Sequence, residues 1–155
     1  MAVGAGALFS IGLVLRTLTA SDLWLDEALG VNIARLPLVD LPAALSRDAA
    51  PPLYYGLLHL WMALFGDGDV AVRSLSALAS GLTLPVVWLV GRRLGGTRAA
   101  WGAAFVLAVN PFAIRYATEA RMYALVAFEV ALGLLAALRA LERPSVGRLA
   151  GVGRS

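Results

Sequence analysis

Ser74-Leu-Ser-Ala-Leu-Ala-Ser-Gly-Leu-Thr-Leu-Pro-Val-Val-Trp-Leu-Val-Gly91 carries no charge. Arg92-Arg93-Leu-Gly-Gly-Thr-Arg98 follows at once, and a second uncharged run extends from Ala99 to Ile114. Two apolar runs joined by a short arginine-rich connection form the pattern of a membrane hairpin. A hydrocarbon core of ~30 Å needs about 20 mostly apolar helical residues, fewer where flanking arginines reach back to the interface. Composition agrees: the 155 residues are 60% hydrophobic with mean hydropathy +0.79, against roughly 45–50% apolar in soluble domains.

Two further runs qualify as spans: Met1 to Leu15, which is uncharged, and Met122 to Leu138, which holds only Glu129. The expected fold is therefore an all-α integral membrane bundle of four spans, with a kink at Pro85. The first 18 residues lack a basic leader region and a small-x-small cleavage site, so they are expected to stay as a helix. Leu53 to Gly66 is also apolar, but as a helix it covers only about 21 Å. Pro51 and Pro52 open it, where a helix tolerates proline, and it is predicted to lie along the membrane interface.

Arginine placement sets the expected orientation. Arg92, Arg93 and Arg98 make their hairpin cytoplasmic, and Arg139, Arg143, Arg148 and Arg154 then fall on the same side. The long loop from Thr19 to Val72 lies outside. It holds Asp22, Asp26, Glu27, Asp40, Asp48, Asp67 and Asp69 against Arg35 and Arg47.

All 13 basic residues are arginine and the net charge is +3. They form no dense stripe and accompany no reader motif, so no nucleic-acid partner is expected. Cysteine is absent, which excludes disulfides and thiolate metal sites, and a lone His59 argues against a histidine zinc cluster. No metal ligands are assigned, although the acids outside are numerous enough to hold a divalent cation.

Four groups of residues carry chemistry. Asp26 and Glu27 follow Trp24 at the outer surface, where a partly shielded carboxylate gains basicity and can serve as a general base; acids near a helix N-terminus would look the same. Asp48-Ala-Ala-Pro-Pro-Leu-Tyr54-Tyr55 gives a rigid helix start with two phenols at headgroup depth, which also suits an aromatic belt. Arg115, Glu119 and Tyr123 recur every fourth residue, so they are predicted to share one helical face, with Arg121 pointing away. Such arginines can grip a lipid phosphate, or Arg115 and Glu119 can simply pair. Glu129 sits inside a span, where a carboxylate is expensive and calls for a partner or a function.

In this order the motifs resemble family 39 glycosyltransferases. The residues that carry the resemblance are Leu-Trp-Leu-Asp26-Glu27-Ala, Asp48-x-x-Pro-Pro-Leu-Tyr-Tyr, Arg73-Ser-Leu-Ser-Ala-Leu, Gly91-Arg-Arg-Leu-Gly-Gly and Glu119-Ala-Arg-Met-Tyr-Ala-Leu. That family includes protein O-mannosyltransferases and bacterial lipid A aminoarabinose transferases and has the GT-C fold. The resemblance implies inverting transfer of a sugar from a polyprenyl-phosphate donor to an acceptor on the extracytoplasmic face of the cell membrane. It makes Asp26 the catalytic carboxylate with Glu27 beside it. Asp48, Tyr54, Tyr55, Arg115, Glu119, Arg121 and Tyr123 are then the candidates for substrate contact. Ala50 stands where relatives usually have histidine, which bears on the second motif.

Relatives of this kind have more helices. Residues 1–142 are therefore expected to be the N-terminal part of the transferase module, inactive alone, and 143–155 a cytoplasmic connector. The alternative is a small transporter or scaffold with Glu129 as its ion site, or an inactive relative. Topology is directly testable, because the chain has no cysteine. An impermeant thiol reagent applied outside should modify Asp69→Cys and spare Gly95→Cys; the reverse pattern would overturn the orientation.

Overall fold

The computed structural model describes residues 10–12, 14, 16, 23–48 and 51–142, with Arg47 and Asp48 described by their backbone alone. Most of the expected first span, Ala49, Ala50 and the connector from residue 143 lie outside the described residues. Those described are helical, with no strand among them: α1 Leu25–Ala34, α2 Leu41–Asp48, α3 Pro52–Phe65, α4 Asp69–Val109, α5 Pro111–Ala117 and α6 Tyr123–Glu142. Two of these, α4 and α6, are long and apolar enough to cross a membrane.

The 41-residue α4 is two arms joined by a reversal. Gly95 (φ −147°, ψ 19°) and Gly96 (φ 74°, ψ −168°) leave helical geometry, and the positive φ at Gly96 is one that glycine adopts without a Cβ penalty. The break lies here and not at Pro85, which the first arm carries inside its helix. A Cβ on Gly91 would sit 2.9 Å from Ala100 Cα, so only a residue without a side chain lets the two arms approach this closely. Trp88 and Trp101 meet edge to face across the arms at 5.8 Å, and the Arg92 guanidinium lies 5.3 Å from the Trp88 ring centre.

The second arm stops at Val109. Asn110 caps the next helix by accepting a hydrogen bond from Ala113 N at 3.0 Å. Pro111 has no N–H to give Leu107 O, one turn back, and Arg16 supplies that bond instead. The buried Arg16 guanidinium donates to Leu107 O (2.8 Å), Ala108 O (3.1 Å), Gly12 O (2.8 Å) and Ser80 Oγ (2.8 Å). A cation at a helix C-terminus also suits the dipole there. Nothing in the sequence patterning singled out Arg16, which reads as the flank of an apolar run.

Helix α6 returns along the first arm, burying Ala131 and Leu135 against Val86 and Val90. Its C-terminal Glu142 pairs with Arg93 at 3.5 Å, so both lie at the hairpin end. At the opposite end α1, α2 and α3 form a cap over the helix termini. Its core joins Val31, Ala34, Leu41, Leu45, Tyr54, Tyr55, Leu58, Val72, Leu75 and Ala120. His59 Nδ1 donates to Ala34 O (2.8 Å), and Trp61 Nε1 donates to Ala71 O and Ser74 Oγ (both 3.0 Å), pinning α3 to α1 and α4. The exposed side of α3 carries Leu53, Leu57, Leu60 and Leu64 at helical spacing, which suits the expected place at the interface.

The hairpin can be tested by volume. Gly91→Val forces apart two backbones already in contact, whereas Gly102→Val enters open space. Overpacking typically costs about 1–3 kcal/mol. Thermal unfolding in detergent should show a lowered midpoint for the first variant and little change for the second.

Candidate active site

The site grows from one carboxylate. Glu27 lies in the first turn of α1 and is 1% exposed. Its Oε1 accepts from Arg73 Nε at 3.0 Å and from Ala120 N at 2.6 Å. Its Oε2 accepts from Arg73 Nη2 at 2.7 Å and from Trp24 N at 3.0 Å. The two-pronged pair with Arg73 is the strong geometry for guanidinium and carboxylate. Burial pushes the Glu27 carboxyl up, but the hydrogen bonds from Arg73, Ala120 and Trp24, with the Arg73 charge, outweigh it and hold it below the ordinary value.

That anchor sets its neighbour. One residue earlier on the same helix, the Asp26 side chain is 75% exposed and faces a cavity of about 230 Å³. Arg121 Nη1 lies 3.5 Å from Asp26 Oδ2 and 3.3 Å from Asp26 O. Arg115 stands on the same cavity with its Nε 3.0 Å from Glu119 Oε1. Tyr116 and Tyr123 form an aromatic wall, ring centres 4.7 Å apart, and the Arg121 guanidinium lies 5.7 Å from the Tyr123 ring centre. Trp24, 62% exposed, is on the rim.

Asp26, Glu27, Arg115, Glu119, Arg121 and Tyr123 are thus brought together, although more than ninety residues separate the two motifs. Their local arrangement differs from the expected single helical face. Helix α5 ends at Ala117 and α6 begins at Tyr123, so Glu119 and Arg121 lie in a turn between them. The turn is held from outside itself: Ala120 N donates to Glu27, and Arg121 O accepts from Ser76 Oγ at 3.1 Å. Arg115 and Glu119 keep their pairing, while Arg121 is directed at Asp26.

Tyr54 and Tyr55 do not line this cavity. They are 2% and 7% exposed and pack edge to face at 5.5 Å inside the cap, because their rings fill the space between α1 and α4. Burial pushes the Tyr54 phenol up. Asp48 closes α2, but its side chain lies outside the described residues. Both Glu27 oxygens already accept two hydrogen bonds each. Among the described residues no three His, Asp or Glu side chains converge as a metal site. Sequence reasoning missed Arg73 as Glu27's partner and Tyr116 as half of the wall. The linear signals Arg73 leaves, its place just before an apolar run and in one of the family-like motifs, do not point to Glu27.

A family profile for dolichyl-phosphate-mannose-protein mannosyltransferase matches residues 49–154. No curated protein and no solved structure matches the chain.

Breaking the buried pair should be costly in one direction only. Glu27→Ala leaves Arg73 buried without its carboxylate, a loss of about 3–5 kcal/mol, whereas Glu27→Leu with Arg73→Met should recover much of it. The pH profile follows from the sign of the shift. The folded-state pKa lies below the unfolded one, so Glu27's contribution is full above the unfolded value of about 4.3. It fades as pH falls through the depressed folded value. Unfolding midpoints measured from pH 7 to pH 3 should drop more steeply below pH 4 for wild type than for the double variant.

Proposed function

The chain belongs to the dolichyl-phosphate-mannose-protein mannosyltransferase family, and we propose that its acidic cavity transfers a hexose such as mannose, or a related sugar, from a polyprenyl-phosphate donor to a protein, lipid or glycan acceptor. Transfer inverts the anomeric centre and takes place on the extracytoplasmic face of a multi-pass cell-membrane protein. One observation carries the reading: an exposed carboxylate, Asp26, shares a small cavity with two arginines, Arg115 and Arg121.

The chemistry needs no more than this. Asp26 takes the proton from the acceptor hydroxyl as that oxygen attacks the anomeric carbon. The bond to the donor phosphate breaks on the opposite face, which gives inversion. The leaving phosphate is stable as an anion when arginines hold it, so no second carboxylate is needed as acid, unlike the pair used for glycoside hydrolysis. Arg121 is now within 3.5 Å of Asp26, closer than the width of a sugar phosphate. Donor binding therefore draws Arg121 onto the phosphate and frees the base. Glu119 keeps Arg115 at the cavity wall, and the Tyr116–Tyr123 pair offers an aromatic surface to the sugar. Glu27 and Arg73 act at one remove, by fixing where α1 begins.

A transporter would need a polar path through the bundle. Glu129 is exposed on α6 and has no hydrogen bond or ion pair among the described residues, so no such path is traced.

The test is Asp26→Asn in the enzyme as it occurs in its membrane. The amide keeps size and polarity but cannot accept the proton. Transfer from a polyprenyl-phosphate sugar should fall by about 10²–10⁴-fold with expression and thermal midpoint unchanged. Near wild-type turnover would remove Asp26 from this role.

A further inference from the structure

Helix α6 has two poles. Ala124, Ala131 and Leu135 face the bundle and are buried. Directly opposite, at intervals of four, three and four residues, stand Glu129, Gly133, Ala136 and Ala140, all exposed. The large aliphatic side chains exposed on α6 stand mostly on its flanks, Val130, Leu134 and Leu141 on one and Leu132 on the other, and only Val126, one turn before Glu129, shares the outward pole. The outward pole instead combines the one acid within the apolar stretch of the helix with three small residues, Gly133, Ala136 and Ala140. A Cβ on Gly133 would meet nothing within 4 Å.

Glu129 lies six residues after Tyr123, about 9 Å along the helix, inside the apolar part of a helix long enough to span. Its carboxylate has no partner among the described residues, and the ion pair of Glu142 with Arg93 is thirteen residues further on. Left in hydrocarbon such a group is expensive; paired with a cation on a neighbouring helix it is satisfied. Small residues one and two turns away let that helix come close.

We propose that this pole is the docking face for a further membrane helix that carries an arginine or lysine at the depth of Glu129. Charge complementarity selects that occupant. A second copy would bring two carboxylates together, and lipid tails would supply no donor. The proposal is independent of the transfer reaction.

The whole chain is labelled through Asp69→Cys, reconstituted in phosphatidylcholine vesicles and mixed with a synthetic leucine–alanine transmembrane helix. That probe bears one arginine about 9 Å from the matching end of its apolar stretch; a second probe has leucine there. Energy transfer should report binding of the arginine helix roughly five- to thirtyfold tighter than the leucine helix, the range interhelical polar contacts give in membranes. Glu129→Leu should erase the preference, Glu129→Gln should keep only part of it, and Gly133→Ile should weaken binding with Glu129 intact. Equal binding of the two probes, or a preference that survives Glu129→Leu, would overturn the proposal. So would Glu129-dependent self-association without any probe, which would make a second copy the occupant.

Discussion

Four hydrogen bonds converge on the Glu27 carboxylate, and the rest of the acidic end depends on them. They come from three separate parts of the chain: Trp24 at the start of α1, Arg73 on the first arm of α4, and Ala120 in the turn before α6. Without that carboxylate the buried Arg73 would lose its two-pronged counter-charge and the turn would lose its anchor. A buried ion pair is no sure gain in stability, since hydrophobic replacements of both partners are often as good. What it supplies here is register. It fixes the first turn of α1, so that Asp26 is aimed into the cavity, and it holds the turn that delivers Arg121 to the same place.

The membrane part of the fold serves this arrangement. The arms of α4 reverse at Gly95–Gly96 and touch at Gly91, and α6 returns beside the first arm to the hairpin, where Glu142 meets Arg93. Each of these three passes therefore runs between the arginine-rich hairpin and the acidic end. Arg16 closes a gap that this path creates. Where Pro111 ends the second arm, carbonyls lose their helical donors, and a buried guanidinium from the first helical segment restores them. Ser80, which accepts from Arg16, in turn donates to Ala113 O in α5 at 3.5 Å.

Much of this was legible in the sequence because hydropathy and arginine placement are strong linear signals. The spans after Arg73 and Met122 follow from them, the break at Asn110-Pro111 and the short helix after Pro51-Pro52 from proline, and the family from the resemblance of the ordered motifs. The paired acids and the Glu119-Ala-Arg121 motif pointed to one site, and the chain does bring them together. The rest was hidden because it depends on contacts between distant segments. Spacing by four put Arg115, Glu119 and Tyr123 on one face, but tertiary bonds from Glu27 and Ser76 outweigh helix propagation through 118–122. Tyr54 and Tyr55 look the same in sequence whether they line a membrane surface or fill a core. Asp26 and Glu27, adjacent and chemically alike, are separated only by the 100° turn between successive helical residues, which exposes one and buries the other.

The central claim is that Glu27 holds Asp26 and Arg121 in one site. The absence of cysteine allows the most direct measurement, a short bismaleimide crosslink between Asp26→Cys and Arg121→Cys in membranes, scored with Glu27 intact and with Glu27→Ala. The account predicts efficient crosslinking in the first background and a marked loss in the second. No crosslink with Glu27 intact, or equal yields in both, would contradict it.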